Sequence, residues 1–257
     1  MSRFLLNILN RLLNIAVFLF LAVSVCYAGY ALWDNAHIYS AVDGVQEDMI
    51  KLRPEADKAD NGKTFRDLRE INPDVQAWIS MDGTNIDYPV LQGKNNMSYI
   101  NTDVYGKFAL QGSIFMDSRS SPDFSQKYTI LYGHHMDGGK MFGDLDRYKD
   151  RDFFMNNGSG ELILPDRSFD LQVFGTLVLN AADDRIFSPS KWAADAGGLP
   201  GSLEGEFRLV KENMLPDISG SEDTQIIALT TCTSEFTDAR TIVLAVMTPK
   251  HTAGMEE

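Results

Sequence analysis

Two short segments near the end of the chain carry side chains suited to nucleophilic catalysis. Cys232 ends the apolar, β-branched run QIIALTTC, and Arg240 stands at the head of the run TIVLAVM. A thiol at a strand end lies at the rim of a sheet, and a neighbouring strand can bring the guanidinium beside it. Such a cation favours the thiolate and can donate to an oxyanion. An inert buried thiol and an ordinary surface arginine are the alternatives that these two residues alone leave open.

A pair of histidines could supply the base that a reactive thiol needs. His134 and His135 follow the apolar run YTILYG, whose Gly133 allows a sharp turn. Successive side chains of an extended segment point in opposite directions, so one ring can face a site while the other does not. The other two histidines lie at the margins of the chain, and no Cys/His spacing matches a zinc pattern. We therefore expect no metal, and a base for Cys232 is the better role.

The order of these residues argues against two families of cysteine hydrolases. In the papain pattern the cysteine precedes its histidine and lies in a C-G-S-C-W-like segment, whereas here His134 precedes Cys232. Caspases place the histidine first, but only about 50 residues upstream and with a Q-A-C-x-G segment. The separation here is nearly twice as long, and that segment is absent.

The elements around these residues begin with an apolar run of 22 uncharged residues between Arg11 and Asp34. As a helix it reaches roughly 33 Å, enough for a hydrocarbon core of about 30 Å. The arginines before it and the aspartate after it predict a cytoplasmic N-terminus over residues 1–11, a transmembrane anchor over 12–33 and an extracellular remainder. A cleavable signal peptide is the alternative, which the length of the run disfavours.

Composition limits the partners and the redox chemistry. The formal net charge of -13, from 23 basic and 36 acidic residues, opposes phosphate backbones, so we expect no nucleic-acid partner. Cys26 lies in the apolar run, so the exported part holds the single thiol of Cys232 and no internal disulfide. No glycine-rich phosphate loop or acidic metal cluster is evident, and no cofactor is expected.

After the anchor we predict a helical stalk over residues 34–70 that packs on a catalytic domain over 71–250, with a tail over 251–257. From Val75 onward the pattern changes to short β-type runs separated by turn residues. The candidates are VQAWIS, IDYPVL, GSIFMD, YTILYG, ELILP, FDLQVFGTLVLN, QIIALTTC and TIVLAVM. With helical insertions at MFGDLDRY and FRLVKENML, they favour a mostly β fold with flanking helices, a closed or nearly closed mixed barrel.

The same segments resemble class B sortases. The resemblance lies in YGHHMDGGKMFGDL, in LTTCTSEFTDAR and in INPDVQAWISMDGTNIDYPVLQGKNNMSYINTDVYGKFALQGSIFMD, and it covers roughly residues 65–248. It implies the eight-stranded sortase β-barrel, preceded by N-terminal helices, with a further helix before the strand of the cysteine. It also implies a membrane-anchored enzyme on the surface of a Gram-positive cell.

The resemblance implies a role for each matching residue. Cys232 would be the nucleophile, His134 the general acid and base, and Arg240 the residue that positions substrate and steadies the oxyanion; His135 would be structural or solvent-facing. A third residue that orients His134 is not evident from the motifs. The candidate substrate-binding residues are Asn96, Ile100, Tyr132, Thr230 and Thr233.

The implied reaction is that of a cysteine transpeptidase. The enzyme would cleave a C-terminal sorting signal of the LPxTG or NPxTN kind after threonine, through a thioacyl intermediate. It would then transfer the exported protein to an amine of a peptidoglycan precursor. A pilin-polymerising sortase that uses a lysine acceptor, a hydrolase that releases the cleaved protein, and a non-catalytic surface binding module are the alternatives.

Overall fold

The computed structural model describes residues 3–56, 58, 61–221, 223–233, 235 and 237–250. The predicted tail over 251–257 therefore lies outside the described residues. Contacts divide the chain into two compact units, one that ends at Gly44 and one that begins at Val45.

The N-terminal helix α1, Arg3–Ile50, contains the whole apolar run. Its most apolar stretch has a mean hydropathy of 2.2, and none of that stretch is buried within the protein. Among the described residues it is the one helix that is long and apolar enough to cross a membrane. Length and composition therefore agree with a membrane span.

Helix α2, Gly62–Ile71, packs onto the β-rich part of the chain through one face. Phe65 and Leu68 lie three residues apart, which places them on the same side of the helix, and both are buried. They belong to an apolar cluster that includes Met49 and the fully buried Trp78. The polar side chains of α2 are left to solvent, which explains why so short and charged a segment is helical.

Eight strands close into a ring within the described part of the chain, and a ninth extends it. The strands are β1 Val75–Met81, β2 Asp87–Leu91, β3 Ile114–Met116, β4 Tyr128–Tyr132, β5 Ser159–Ile163, β6 Ser168–Asn180, β7 Phe207–Val210, β8 Gln225–Cys232 and β9 Ala239–Pro249. The ring runs β5-β1-β2-β3-β4-β8-β9-β6, and β6 pairs with β5 to close it. The predicted eight-stranded mixed barrel is confirmed.

Strands β4, β8 and β9 are apolar on both faces because both faces are covered. Tyr128 and Ile130 of β4 share a face and pack in a cluster with Ile226 of β8 and Leu244 of β9. Leu199, from the helical connection between β6 and β7, covers that face. The alternate positions of β8 and β9 are buried as well. Burial on both faces explains why these strands are continuous apolar runs rather than alternating ones.

One parallel and one antiparallel pairing bring the ends of β4 and β8 and the start of β9 to one edge of the barrel. Strand β4 is parallel to β8, with Tyr132 opposite Thr230, so the chain leaves both strands at the same edge. Strand β9 is antiparallel to β8, with Arg240 opposite Cys232, so β9 begins where β8 ends. The second parallel pairing joins β2 to β3. The motifs that follow β4, end β8 and begin β9 therefore meet.

Helical segments connect the strands. The α-helices are α3 Arg151–Asn156, α4 Asp184–Phe187, α5 Leu199–Ser202 and α6 Leu215–Gly220, and the 3₁₀ helices are Asp137–Gly139, Gly143–Lys149, Pro189–Trp192 and Glu212–Met214. The insertion expected at MFGDLDRY is helical, in 3₁₀ form. Helix α6 comes directly before β8, as the resemblance implied.

The helix expected at FRLVKENML begins only at its end, because FRLV is strand β7. Leu209 pairs with Thr176 of β6, and the Phe207 ring packs over Gly175. A Cβ on Gly175 would lie 2.5 Å from that ring, so the glycine makes room for it. Pairing with a long neighbouring strand therefore decides the conformation of a run too short to specify it alone.

Candidate active site

A cavity of about 400 Å³ opens at the edge where β4 and β8 end. Seven of the eight predicted site residues line it: Asn96, Ile100, Tyr132, His134, Thr230, Cys232 and Arg240. Tertiary structure also brings Phe115, Arg119 and Phe187 to its walls. Residues far apart in the sequence thus share one concave surface.

Cys232 and Arg240 face each other across the pairing of β8 with β9. Directly opposed residues of antiparallel strands share a face of the sheet, with Cβ atoms about 4.5–5.5 Å apart. The thiol is exposed, and the half-buried Arg240 donates from Nη1 to the carbonyl of Ala239 at 3.0 Å. Among the described residues that carbonyl is the one hydrogen-bond acceptor of a guanidinium group that carries five N–H donors. The predicted neighbourhood of thiol and guanidinium is present.

His134 is oriented by a backbone carbonyl. Its Nε2 lies 2.7 Å from the carbonyl oxygen of Ile100. Because a carbonyl oxygen only accepts, Nε2 carries a hydrogen and donates it, and Nδ1 is the acceptor of the neutral ring. The backbone of His134 is held too, since its carbonyl accepts from the amide of Phe142 at 3.0 Å. The orienting partner that the motifs did not show is this carbonyl.

Gly133 matters for close packing. Its backbone lies outside the positive-φ region, and its amide donates to the carbonyl of Thr230 at 3.2 Å. A Cβ there would lie 2.5 Å from Ile114 and 2.8 Å from the Phe142 ring. A larger residue would thus displace Ile114, the Phe142 ring or the start of the histidine segment.

His135 lies outside the cavity lining. Its Nε2 is 3.1 Å from Oδ2 of Asp146, in the 3₁₀ helix that follows. The two adjacent histidines therefore have different surroundings, one at the cavity and one beside the carboxylate of Asp146.

Three polar side chains of the cavity are anchored to one buried carboxylate. Oδ2 of the fully buried Asp117 accepts from the Tyr132 hydroxyl at 2.9 Å and from Nδ2 of Asn96 at 2.9 Å. Arg119 binds the same carboxylate with two nitrogens, at 2.8 and 2.7 Å. Burial acts to raise the pKa of Asp117, but these hydrogen bonds outweigh it and hold the pKa below its usual value. Asp117 therefore stays charged and fixes this wall.

Arg119 also ties two walls of the cavity together. Its Nη2 donates to the carbonyl of Phe187 at 2.8 Å, in helix α4 of the long connection after β6. Neither residue was predicted from the sequence. Arg119 lies two residues beyond the segment ending GSIFMD that resembles sortases, and nothing local to Phe187 indicates a site.

The two predicted threonines have different surroundings. Thr230 is buried, lines the cavity and donates from its hydroxyl to the carbonyl of Leu131 at 3.1 Å. Thr233 is not among the lining residues, and its hydroxyl accepts from Nζ of Lys149 at 2.9 Å. The described residues contain no group of three or more His, Cys, Asp or Glu that could hold a metal ion.

Comparison with known proteins agrees with this architecture. Residues 79–248 match the sortase domain family. The chain belongs to the sortase family. Its relatives place it in class B: sortase B of Listeria monocytogenes is 29% identical over 229 residues, which cover 87% of this chain and 88% of that protein.

Solved class B structures share the fold of this sortase. A class B sortase of Streptococcus pyogenes involved in pilus biogenesis is 32% identical, with a TM-score of 0.64, covering 71% of this chain and 97% of that one. The substrate complex of Staphylococcus aureus sortase B is 27% identical, with a TM-score of 0.65, covering 85% and 97%. Sortases are in general cysteine transpeptidases associated with the membrane at the cell surface.

Replacement of Gly112 by alanine tests the support of His134. Gly112 has a φ of 57°, and a Cβ there would lie 2.3 Å from the carbonyl oxygen of Ile100 that accepts from His134. We expect Gly112→Ala to displace this carbonyl and to lower turnover by up to about 10²-fold, since small misplacements are that costly.

Gly106→Ala is the matched control for the Gly112 variant. Gly106 has a φ of 74° with nothing within 4 Å of its Cβ position, so it measures the backbone strain alone. Equal turnover of the two folded variants would contradict the proposed support of His134.

Asp117→Asn should destabilise the protein by about 1–3 kcal/mol at pH 7, because buried donors lose their charged acceptor. The depressed pKa of Asp117 means that its contribution is present above the unfolded pKa of about 3.9 and is lost as pH falls through the folded pKa. Denaturant unfolding of both proteins from pH 7 to pH 3 should show the difference shrinking below about pH 4. A difference that is constant with pH, or equal to that of the exposed control Asp217→Asn, would contradict this role.

Proposed function

We propose that this sortase cleaves the C-terminal sorting signal of an exported protein and joins the new carboxyl end to a cell-wall amine. The convergence of Cys232, His134 and Arg240 on one cavity carries this proposal. Family membership supports it, since sortases are in general cysteine transpeptidases.

In the first step, the Cys232 thiolate attacks the threonine carbonyl of an LPxTG-like or NPxTN-like signal. A C–S bond forms, and the oxyanion accepts hydrogen bonds from the Arg240 guanidinium. Because Nε2 of His134 is held by the Ile100 carbonyl, Nδ1 is the nitrogen that takes the proton of the Cys232 thiol and then delivers that proton to the departing amine. The C–N bond breaks, and the protein is left as a thioester.

In the second step, an incoming amine attacks the thioester. The amine loses a proton to His134, a new C–N bond forms, and the Cys232 sulfur leaves as thiolate. One amide bond is exchanged for another, so the reaction needs neither ATP nor a cofactor.

The cavity walls suit an extended peptide with both apolar and polar side chains. Ile100, Phe115 and Phe187 offer apolar surface, and Asn96 and Arg119 offer fixed polar groups. In a mostly apolar cleft, a small number of fixed polar groups usually sets the orientation of the ligand and the specificity for it. We propose Asn96, Ile100, Tyr132 and Thr230 as substrate contacts, and Thr233 as a neighbour of the nucleophile.

The proposed acceptor is an amine of a peptidoglycan precursor. A pilin lysine is the second candidate, because the Streptococcus pyogenes relative is a class B sortase involved in pilus biogenesis. The two acceptors differ in the linkage they leave.

The proposed orientation places the catalytic unit outside the cell. Arg3 and Arg11 precede the apolar run, and Asp34 follows it. Positive residues favour the cytoplasmic side, so residues 12–33 would span the membrane with the N-terminus inside. Residues 34–70 would then form the stalk of an extracellular catalytic domain over 71–250.

Incubation of the full chain in detergent with sorting-signal peptides, with and without oligoglycine, diaminopimelate-type or lysine-containing amines, tests the reaction. Mass spectrometry should find an acyl adduct on Cys232 and a product that requires the amine, with the linkage identifying the acceptor. Cys232→Ala should abolish turnover, His134→Ala should nearly do so, and His135→Ala should retain much of it.

Each failure of this experiment has a distinct meaning. Cleavage without transfer to any amine would indicate a hydrolase. No adduct with any peptide, together with peptide binding unchanged in Cys232→Ala, would indicate a binding module. Equal inactivation by both histidine changes, with folding intact, would contradict the assignment of His134.

Arg240→Lys tests the oxyanion role. Lysine keeps the charge but lacks the planar forked donors, so we expect the acylation rate to fall by about 10²-fold or more. Single-turnover formation of the adduct measures it, with Arg151→Lys, which lies outside the cavity lining, as control. An acylation rate near that of the wild type would leave Arg240 without this role.

A further inference from the structure

We propose that Lys149 is a positioning residue for acyl transfer, which locks the segment after Cys232 to the carboxylate of Asp146. The inference rests on the proposed function, because it concerns the geometry that this function needs. Neither residue lines the cavity, so their effect on chemistry is transmitted through the residues they hold.

The ammonium of Lys149 is held by three oxygens from two parts of the chain. Its Nζ lies 2.8 Å from Oδ1 of Asp146, 2.9 Å from Oε1 of Glu235 and 2.9 Å from Oγ1 of Thr233. An ammonium has three hydrogens to donate, so each oxygen can take one. The Lys149 side chain is only 13% exposed, whereas the side chains of Asp146 and Glu235 are more exposed.

Asp146 also contacts residues next to Arg240 and His134. Its Oδ1 also accepts from the Thr241 hydroxyl at 2.8 Å, and its Oδ2 lies 3.1 Å from Nε2 of His135. Thr241 follows Arg240 in β9, and His135 follows His134 after β4. Burial acts to raise the pKa of Asp146, but the bonds from Lys149 and Thr241 outweigh it and hold the pKa below its usual value.

One ion pair therefore touches the chain next to each proposed catalytic residue. Lys149 binds the residue after Cys232, and Asp146 binds the neighbours of Arg240 and His134. Close contacts of this kind in a partly desolvated network are cooperative. Loss of the ammonium would leave the carboxylates of Asp146 and Glu235 without their shared cation and would release the Thr233 hydroxyl.

Thr233 is the first residue after strand β8. After Cys232 the pairing with β9 continues through one described bond, from the amide of Thr233 to the carbonyl of Ala239 at 3.1 Å. Asp238 then turns with a φ of 57°. The side-chain bond to Lys149 is thus a second contact that holds the first residue beyond the nucleophile.

The test compares Lys149→Met, which keeps an apolar stem but removes the charge, with Lys149→Arg, which keeps the charge. Full-length protein in detergent is assayed with the peptide and amine used by the wild type, and kcat, KM and thermal unfolding are measured. We expect kcat of Lys149→Met to fall by about tenfold or more with KM within about twofold, because misplacement of reacting groups affects chemistry more than binding. Lys149→Arg should recover most of that loss.

Two further variants keep the result interpretable. Lys191→Met, at an exposed lysine paired with Asp184, controls for the loss of a surface charge and should match the wild type. Thr233→Val removes the tethered hydroxyl without a change of charge. It should lower kcat several-fold, and it should have no further effect in the Lys149→Met background. If Lys149→Met fails to fold, Thr233→Val carries the test.

The outcomes separate this inference from the proposed function. If the wild type forms no acyl adduct on Cys232, the proposed function fails and the inference falls with it. If the wild type transfers normally while folded Lys149→Met keeps its kcat, only the inference is overturned. A fall in kcat that merely follows the folded fraction, or a fall that Lys149→Arg does not reverse, also overturns it.

Discussion

The parallel pairing of β4 with β8 is the constraint on which the whole site depends. Tyr132 lies opposite Thr230, so His134 and Cys232 leave their strands at the same edge of the barrel. An antiparallel pairing would place the histidine at the far end of a five-residue strand, about 16 Å away. Parallel neighbours need a long connection, and the segment between these strands supplies β5, β6 and β7. The barrel and the site therefore form together.

Two carboxylates, the fully buried Asp117 and the half-buried Asp146, hold the side chains at this edge. Asp117 fixes the wall of Asn96, Arg119 and Tyr132, and Asp146 joins the supports of the proposed catalytic residues. In both, burial alone would favour the neutral acid, and hydrogen bonds from cations reverse that preference. The net charge of -13 is no guide to this arrangement, because the contacts within a few ångströms decide which carboxylates stay charged.

The parts of the fold that could be predicted are those that local pattern controls. Each of the eight predicted runs corresponds to a strand, because apolar β-branched runs between turn residues have few alternatives. The closeness of Cys232 and Arg240 was also predictable from local sequence, because a short connection between two strands favours a hairpin. The run FRLV was predicted as helix and is strand β7, because four residues carry too little periodicity and Gly175 of the neighbouring strand makes room for Phe207.

The sequence by itself determined the apolar N-terminal helix, the strands and the residue types capable of thiol chemistry, because each depends on composition or on neighbours in the chain. Tertiary structure alone decided that the Ile100 carbonyl orients His134, that Arg119 reaches the Phe187 carbonyl and that Lys149 holds Thr233. Every residue has a backbone carbonyl, so no pattern of side chains marks the one that a distant histidine will meet. Contacts between distant segments, formed when the barrel closes, decide which carbonyl lies beside His134 and so determine the geometry of the site.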